Sequence, residues 1–172
     1  TEIDVARLYR EGQKSLVEQQ VRLDALRREI ERIEGEKAGL GSTLAQQKME
    51  VENLRKYGDS LFGQGKVADA ILCYQEALKH NPGYAEVYNN LGIALKHQNR
   101  LDEAVLCYRK AFENKPHYAI ACNNLANALM EVGRTYEAID QFRKALTLKP
   151  KDPEIHNNMA IAYLEKGDVD KA

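Results

Sequence analysis

The sequence lacks tryptophan, has only three cysteines and four prolines, and holds no long apolar run. A membrane-spanning helix needs about 20 consecutive apolar residues, and no stretch approaches that length. An odd number of cysteines without metal-ligand spacing predicts neither a disulfide framework nor a zinc site. We therefore interpret Cys73, Cys107 and Cys122 as small packing residues in a reducing compartment, which favours a cytoplasmic protein.

An excess of charge and the usual catalytic patterns are also missing. The chain carries 25 Lys and Arg against 26 Asp and Glu, a net charge of −1, so it exerts no sustained attraction on nucleic acid or anionic membrane. The four histidines never pair at metal-ligand spacing. No glycine-rich phosphate loop and no nucleophile with a placed base are found. We predict a protein that is not an enzyme and uses no metal or cofactor.

What the sequence does contain is an internal repeat with a constant period. Gly58, Gly92, Ala126 and Ala160 are equally spaced, and the prolines at 82, 116 and 150 follow the same step. Within each unit apolar residues recur at intervals of three and four, which predicts two amphipathic helices. Two helices cannot bury their apolar stripes alone, so each unit must stack on the next.

The spacing of particular residues resembles the tetratricopeptide repeat (TPR) family, whose signature is W-x2-L-G-x2-Y, then A-x3-F, A and P. The second unit reads Tyr88-x2-Leu91-Gly92-x2-Leu95, Ala104-x3-Tyr108, Ala111, Pro116. The resemblance implies an all-α fold, a right-handed α-solenoid of about 3.5 helix-turn-helix units. We predict units at 51–84, 85–118, 119–152 and 153–172. The last unit is truncated and the first residue is Thr1, so we expect a fragment of a longer protein.

Residues 1–50 follow a period of seven instead. Apolar residues in two such rows are typical of a coiled coil, which here predicts a homo-oligomer and a register that continues into a helix at 51–64. Glycines at 35, 39 and 41 leave two alternatives open: one long helix, or a hairpin that folds residues 43–64 back on 14–34. The predicted oligomerisation residues are Leu16, Leu23, Leu26, Ile30, Ile33, Leu40, Leu44, Val51 and Leu54.

Three asparagine pairs recur at the repeat step in the first helix of successive units. The TPR resemblance implies that these helices line a concave groove. The array is similar to those of O-linked N-acetylglucosamine transferases, whose asparagine ladder holds peptide main chain. Alternatively, one asparagine of each pair only joins neighbouring repeats. The predicted peptide-binding residues are Asn89, Asn90, Asn123, Asn124, Asn157 and Asn158, with Lys96, His97, Asn127 and Glu131 setting preferences.

A second binding mode of the family, a clamp of cations for acidic C-terminal tails, fits this sequence poorly. Two or more of its cations are missing in either register, and Asp59 or Glu154 would repel a carboxylate. The positions that correspond to the clamp in the first register hold Arg55, Asp59, Asn90, Ile120 and Asn124.

The sequence therefore predicts a non-catalytic protein-interaction module that captures an extended peptide and assembles through its coiled coil. Its partner would be a protein or peptide, with no nucleic acid and no membrane insertion. Two alternatives stay open. The chain is the repeat arm of a larger, glycosyltransferase-like enzyme, or it is a purely structural scaffold that forms an oligomer.

Overall fold

The computed structural model describes residues 5–35 and 44–167, and these residues form helices and turns without any strand. The prediction of an all-α fold is confirmed. The choice between one long helix and a hairpin concerns residues 36–43, which lie outside the described residues. The helices are α1 (Val5–Gly35), α2 (Leu44–Gly63), α3 (Val67–His80), α4 (Ala85–His97), α5 (Leu101–Asn114), α6 (Ala119–Glu131), α7 (Thr135–Leu148) and α8 (Pro153–Lys166).

The chain divides into two compact units, residues 1–44 and 45–172. In the first unit, α1 exposes Leu16, Val17 and Val21 by 67%, 60% and 59%. The predicted seam residues Leu23, Leu26 and Ile30 are half-buried within the chain. Three further members of the predicted seam, namely Leu40 and the side chains of Ile33 and Leu44, lie outside the described residues.

The second unit is a stack of helical hairpins. Helix α4 packs on α5 and α6 on α7, while α3–α4, α5–α6 and α7–α8 contacts join successive hairpins. The helices α4, α6 and α8 begin at Ala85, Ala119 and Pro153, which are equally spaced at the step seen in the sequence. This arrangement confirms the predicted helix-turn-helix solenoid, since each hairpin buries its apolar stripes against its neighbours.

One residue with left-handed backbone lies just after each of the helices α2, α4, α6 and α8. Gly65, Gly133 and Gly167 have φ of 77°, 75° and 80°, and Asn99 has φ of 60° at the equivalent position. Glycine adopts this conformation without strain, and asparagine is among the few other residues that tolerate it. A residue with left-handed backbone therefore follows each first helix in the described part of the chain, although its residue type changes.

The core is a column of aromatic rings opposite small residues. Tyr74, Tyr108 and Phe142 occupy one repeat position, and each ring is almost fully buried. A Cβ atom added to Gly92 would lie 2.6 Å from Cε1 of Tyr108, and one added to Gly58 would lie 2.7 Å from Cε1 of Tyr74. The backbone of the first helix thus approaches the ring of the second closely enough to require glycine.

Two residues of the predicted oligomerisation seam belong to this core instead of an open surface. Val51 and Leu54 on α2 are 1% and 3% exposed within the single chain. Their apolar surface is already removed from water, so contact with a second chain would bury little additional apolar surface of these two residues. A seam in the described part of the chain would have to rely on α1.

Candidate functional site

The first helices of the repeats lie side by side and form one continuous surface. Helix α6 contacts both α4 and α8, and Asn90 on α4 reaches Asp59 on α2 through a hydrogen bond of 2.8 Å. Side chains three, four and seven residues apart share one face of a helix. We define the ladder face as the surface of α4, α6 and α8 that carries the asparagine pairs, together with the equivalent surface of α2 at Arg55 and Lys56. It includes the residues three, four or seven positions from these pairs.

Two of the asparagines are buried and accept hydrogen bonds from the following repeat. The Nδ2 of Asn124 donates to Oδ1 of Asn89 at 2.9 Å, and Nδ2 of Asn158 donates to Oδ1 of Asn123 at 3.3 Å. Asn89 and Asn123 are only 3% and 6% exposed. A buried amide needs such partners, because an unsatisfied polar group costs stability. These two residues serve the contact between repeats, and their burial leaves almost no surface for a peptide.

The other asparagines keep hydrogen-bonding capacity at the surface. Asn90, Asn124 and Asn158 are half-buried and Asn157 is exposed. A side-chain amide has two N–H donors and an oxygen with two lone pairs, and Asn124 and Asn158 each spend one donor on the preceding repeat. In the described part of the chain no hydrogen bond reaches the Oδ1 of Asn124 or Asn158. These amides can therefore still accept from and donate to a peptide backbone.

The asparagine pattern is interrupted on α2, where Arg55 occupies the position equivalent to Asn89 of the following repeat. The Nε of Arg55 donates to Oε2 of Glu52 at 2.9 Å, and Nη1 donates to Oδ2 of Asp59 at 2.6 Å. The bonds from Arg55 and from the hydroxyl of Tyr84 lower the pKa of Glu52 to about 2. Sequence reasoning missed this cluster, although the break in the asparagine pattern at position 55 was a visible signal.

Asp59 accepts from a third side chain in the same cluster, the buried Tyr74. The Tyr74 hydroxyl donates to Oδ1 of Asp59 at 2.7 Å, the same oxygen that accepts from Asn90. Burial, followed by this bond, raises the pKa of Tyr74. Asp59 thus links the core aromatic, the arginine and the asparagine ladder at one point.

The charged residues predicted to set ligand preference pair with each other. Lys96 on α4 forms an ion pair with Glu131 on α6 at 2.5 Å, with side-chain exposures of 37% and 42%. His97 stacks edge-on against Phe62 on α2, with ring centroids 5.7 Å apart. Asn127 is half-buried at the centre of α6. The structure thus brings these four residues to the ladder face, where two of the charges are already neutralised.

Among residues 5–35 and 44–167, no three His, Cys, Asp or Glu side chains come together in a way that could hold a metal ion. None of the described helices is long and apolar enough to cross a membrane.

Comparisons with known proteins match the repeat region. Residues 56–119 match the family model described as "Tetratricopeptide repeat", and residues 126–167 match the one described as "TPR repeat". Comparison with curated proteins found no match.

Solved structures share the fold. The first TPR of Spaghetti (RPAP3), bound to the HSP90 peptide SRMEEVD, is 21% identical with a TM-score of 0.68, covering 69% of this chain and 94% of that one. The TPR domain of Arabidopsis OM64 is 22% identical with a TM-score of 0.66, covering 69% and 98%. The TPR2B domain in the pHsp70 complex of yeast Sti1 is 25% identical with a TM-score of 0.65, covering 68% and 98%.

Proposed function

The chain belongs to the tetratricopeptide repeat family, and from this we propose that it is a non-catalytic protein-interaction module that binds an extended peptide on the ladder face. The observation that carries the proposal is that the side-chain amides of Asn124 and Asn158 still have a free hydrogen-bond donor and acceptor. The two residues lie at the same repeat position on neighbouring first helices. The structural neighbours support it, since the Spaghetti domain is bound to an HSP90 peptide and the yeast Sti1 domain is in a complex with pHsp70. The free cysteines at 73, 107 and 122 support a cytoplasmic location.

The spacing of the helices suits an extended main chain. Packed helices lie about 8–10 Å apart, and an extended residue spans about 3.3–3.6 Å. A peptide that crosses the ladder face would therefore advance by roughly three residues between one first helix and the next. At each step it would meet one half-buried asparagine, whose amide can pair with a backbone N–H or C=O.

A triple change of Asn90, Asn124 and Asn158 to alanine tests the peptide contact. Three neutral hydrogen bonds at about 0.5–1.5 kcal/mol each predict a loss of roughly 10-fold to 2,000-fold in affinity. The ligand would come from a pull-down with lysate, and calorimetry would measure affinity for wild type and variant. Asn53→Ala, an exposed position on α2 away from the asparagine pairs, is the matched control.

The triple variant also removes bonds between repeats, so a second variant separates binding from folding. Asn157 is exposed and its side chain makes no hydrogen bond in the described part of the chain, so Asn157→Ala leaves the stack intact. A measurable loss of affinity in Asn157→Ala would support a peptide that touches the ladder directly. Unchanged affinity in both variants, with native circular dichroism, would assign the asparagines to repeat packing alone.

The assembly part of the proposal rests on α1. Leu16 is 67% exposed and begins the heptad row that continues through Leu23. Burying such a row against a second helix is the usual reason for a coiled coil. Light scattering should give an oligomer for the wild-type chain and a monomer for the Leu16→Lys/Leu23→Lys variant. Val17→Lys is the matched control, because Val17 is 60% exposed but lies outside both heptad rows. A monomeric wild type at micromolar concentration would contradict the coiled-coil assignment.

A further inference from the structure

Aliphatic side chains stand between the asparagines of the ladder face. Ile93 on α4, Ile120 on α6 and Ile161 on α8 are 37%, 48% and 45% exposed. Ile93 follows Asn90 by three residues, and Ile120 precedes Asn124 by four, so each shares a helix face with its asparagine. Ile93 and Ile120 keep this exposure although neighbouring helices pack on both sides of α4 and α6. The face therefore alternates amide and aliphatic surface across three helices.

The positive charges of the ladder face are paired with carboxylates of the same chain, which disfavours an acidic ligand. The carboxylates of Glu52 and Asp59 hold Arg55, Glu52 also lies 3.8 Å from the exposed Lys56, and Glu131 holds Lys96. A ligand carboxylate would have to break one of these pairs and would then meet the displaced acidic group. At the α8 end Glu154 adds a further carboxylate, which accepts from Asn123 at 3.1 Å.

We propose that the ladder face selects an internal, extended segment with aliphatic side chains, and that it does not depend on a terminal carboxylate. This inference rests on the proposed peptide-binding function. The main chain of the segment pairs with the asparagine amides, while the side chains on its inner side pack on Ile93, Ile120 and Ile161. In an extended chain every second side chain points to the same side, so an octapeptide brings about four side chains to the face. That length also spans the distance from α4 to α8, roughly 16–20 Å for two helix steps.

The test uses the full chain and synthetic probes of known composition. One set consists of N-acetylated, C-amidated octapeptides in which leucine or valine alternates with serine or threonine. A second set carries serine at every position in place of leucine or valine, and the third probe is the acidic peptide SRMEEVD with its free carboxylate. We expect the capped aliphatic peptides to bind at least tenfold more tightly than either of the other probes. Their dissociation constant should change less than about twofold between 50 and 500 mM NaCl, because no ion pair is formed.

Variants of the isoleucines locate the contact. Ile93→Asp and Ile120→Asp should each weaken binding of the capped aliphatic peptide at least tenfold. Leu106→Asp should leave it unchanged, because Leu106 is 60% exposed but lies on the second helix α5. Ile93→Ser, which introduces no charge, provides a second measurement should the aspartate variant fold poorly, and it should weaken binding at least threefold.

The outcomes separate this inference from the proposed function. Tighter binding of SRMEEVD than of any capped peptide would overturn the inference while peptide binding itself stands. Equal affinity of the wild type and the folded Ile93 variants would overturn it in the same way. Failure of all three kinds of probe to bind would count against the peptide-binding proposal itself, and the inference would fall with it.

Discussion

The contact between Gly92 and Tyr108 makes a sharp prediction about stability. A Cβ atom at position 92 would lie 2.6, 2.8 and 2.9 Å from three atoms of the Tyr108 ring, and real Cβ contacts are essentially never shorter than 3.0 Å. The ring is 1% exposed, so it has no open space to move into. Gly92→Ala therefore forces either the ring or the helix backbone to shift.

Two opposing effects set the size of the change. Alanine is favoured over glycine inside a helix by about 1 kcal/mol, whereas overpacking a core typically costs about 1–3 kcal/mol. We expect Gly92→Ala to lower the free energy of unfolding by about 1 kcal/mol, within a range of about 0–2. In a Tyr108→Leu background the ring is gone, and the same substitution should instead raise the free energy of unfolding by up to about 1 kcal/mol.

Urea unfolding followed by far-ultraviolet circular dichroism measures all four proteins of this cycle. Equal m-values would show that the same surface is exposed on unfolding in each. Gly63→Ala is the matched control, since a Cβ at Gly63 meets no atom within 4 Å. If Gly92→Ala stabilises the wild type as much as it stabilises the Tyr108→Leu protein, the close approach carries no energetic penalty and the reasoning is refuted.

Three further predictions concern the polar contacts and the thiols. Asn89→Ala should destabilise the fold by about 1–3 kcal/mol and the exposed Asn157→Ala by almost nothing; equal urea midpoints would contradict the ladder as a structural element. The pKa of Glu52 is lowered from 4.5 to about 2, so its stabilising contribution is present above about pH 4.5 and is lost as the pH falls towards 2. When the free energy of unfolding is measured against pH, Glu52→Gln should lack this part of the decline, and parallel curves for the two proteins would contradict the prediction. Burial raises the pKa of the Cys107 thiol to about 11, so iodoacetamide at pH 7.5 should label this half-buried cysteine slowly. The buried Cys73 and Cys122 should be labelled only after unfolding, and rapid labelling of all three cysteines in the native protein would contradict the prediction.

Helix positions in the repeat region were predictable from the sequence because several local signals agree. Each second helix ends two residues before a proline, as α5 does at Asn114 before Pro116, and the residue before proline disfavours helical backbone. The small residue at position 92 also recurs with the repeat period, and in the structure Gly58 and Gly92 each face an aromatic ring, Tyr74 and Tyr108. Such signals lie within a few residues of the feature that they determine.

The role of each asparagine was less accessible to sequence reasoning. Asn89 and Asn90 are adjacent on one helix, yet one is buried beneath the next repeat and the other is half-exposed. Which of the two is covered depends on the rotation of α4 relative to α6, and that rotation is set by packing along the whole hairpin. The pairing of Lys96 with Glu131 escaped prediction for the same reason, since it joins the first helices of two successive repeats.

The ladder also bears on how such an array grows by tandem duplication. In the bonds from Asn124 to Asn89 and from Asn158 to Asn123, the second asparagine of a unit donates backwards and the first accepts from the unit that follows. A copy of one whole unit therefore arrives with both halves of the contact, and it can be inserted between any two asparagine-bearing neighbours without a compensating substitution. Unit 51–84 is different, since Arg55 and Lys56 replace the pair. A copy inserted on the C-terminal side of that unit would find the contact with the following unit complete, whereas a copy on its N-terminal side would meet Lys56 in place of the donating asparagine.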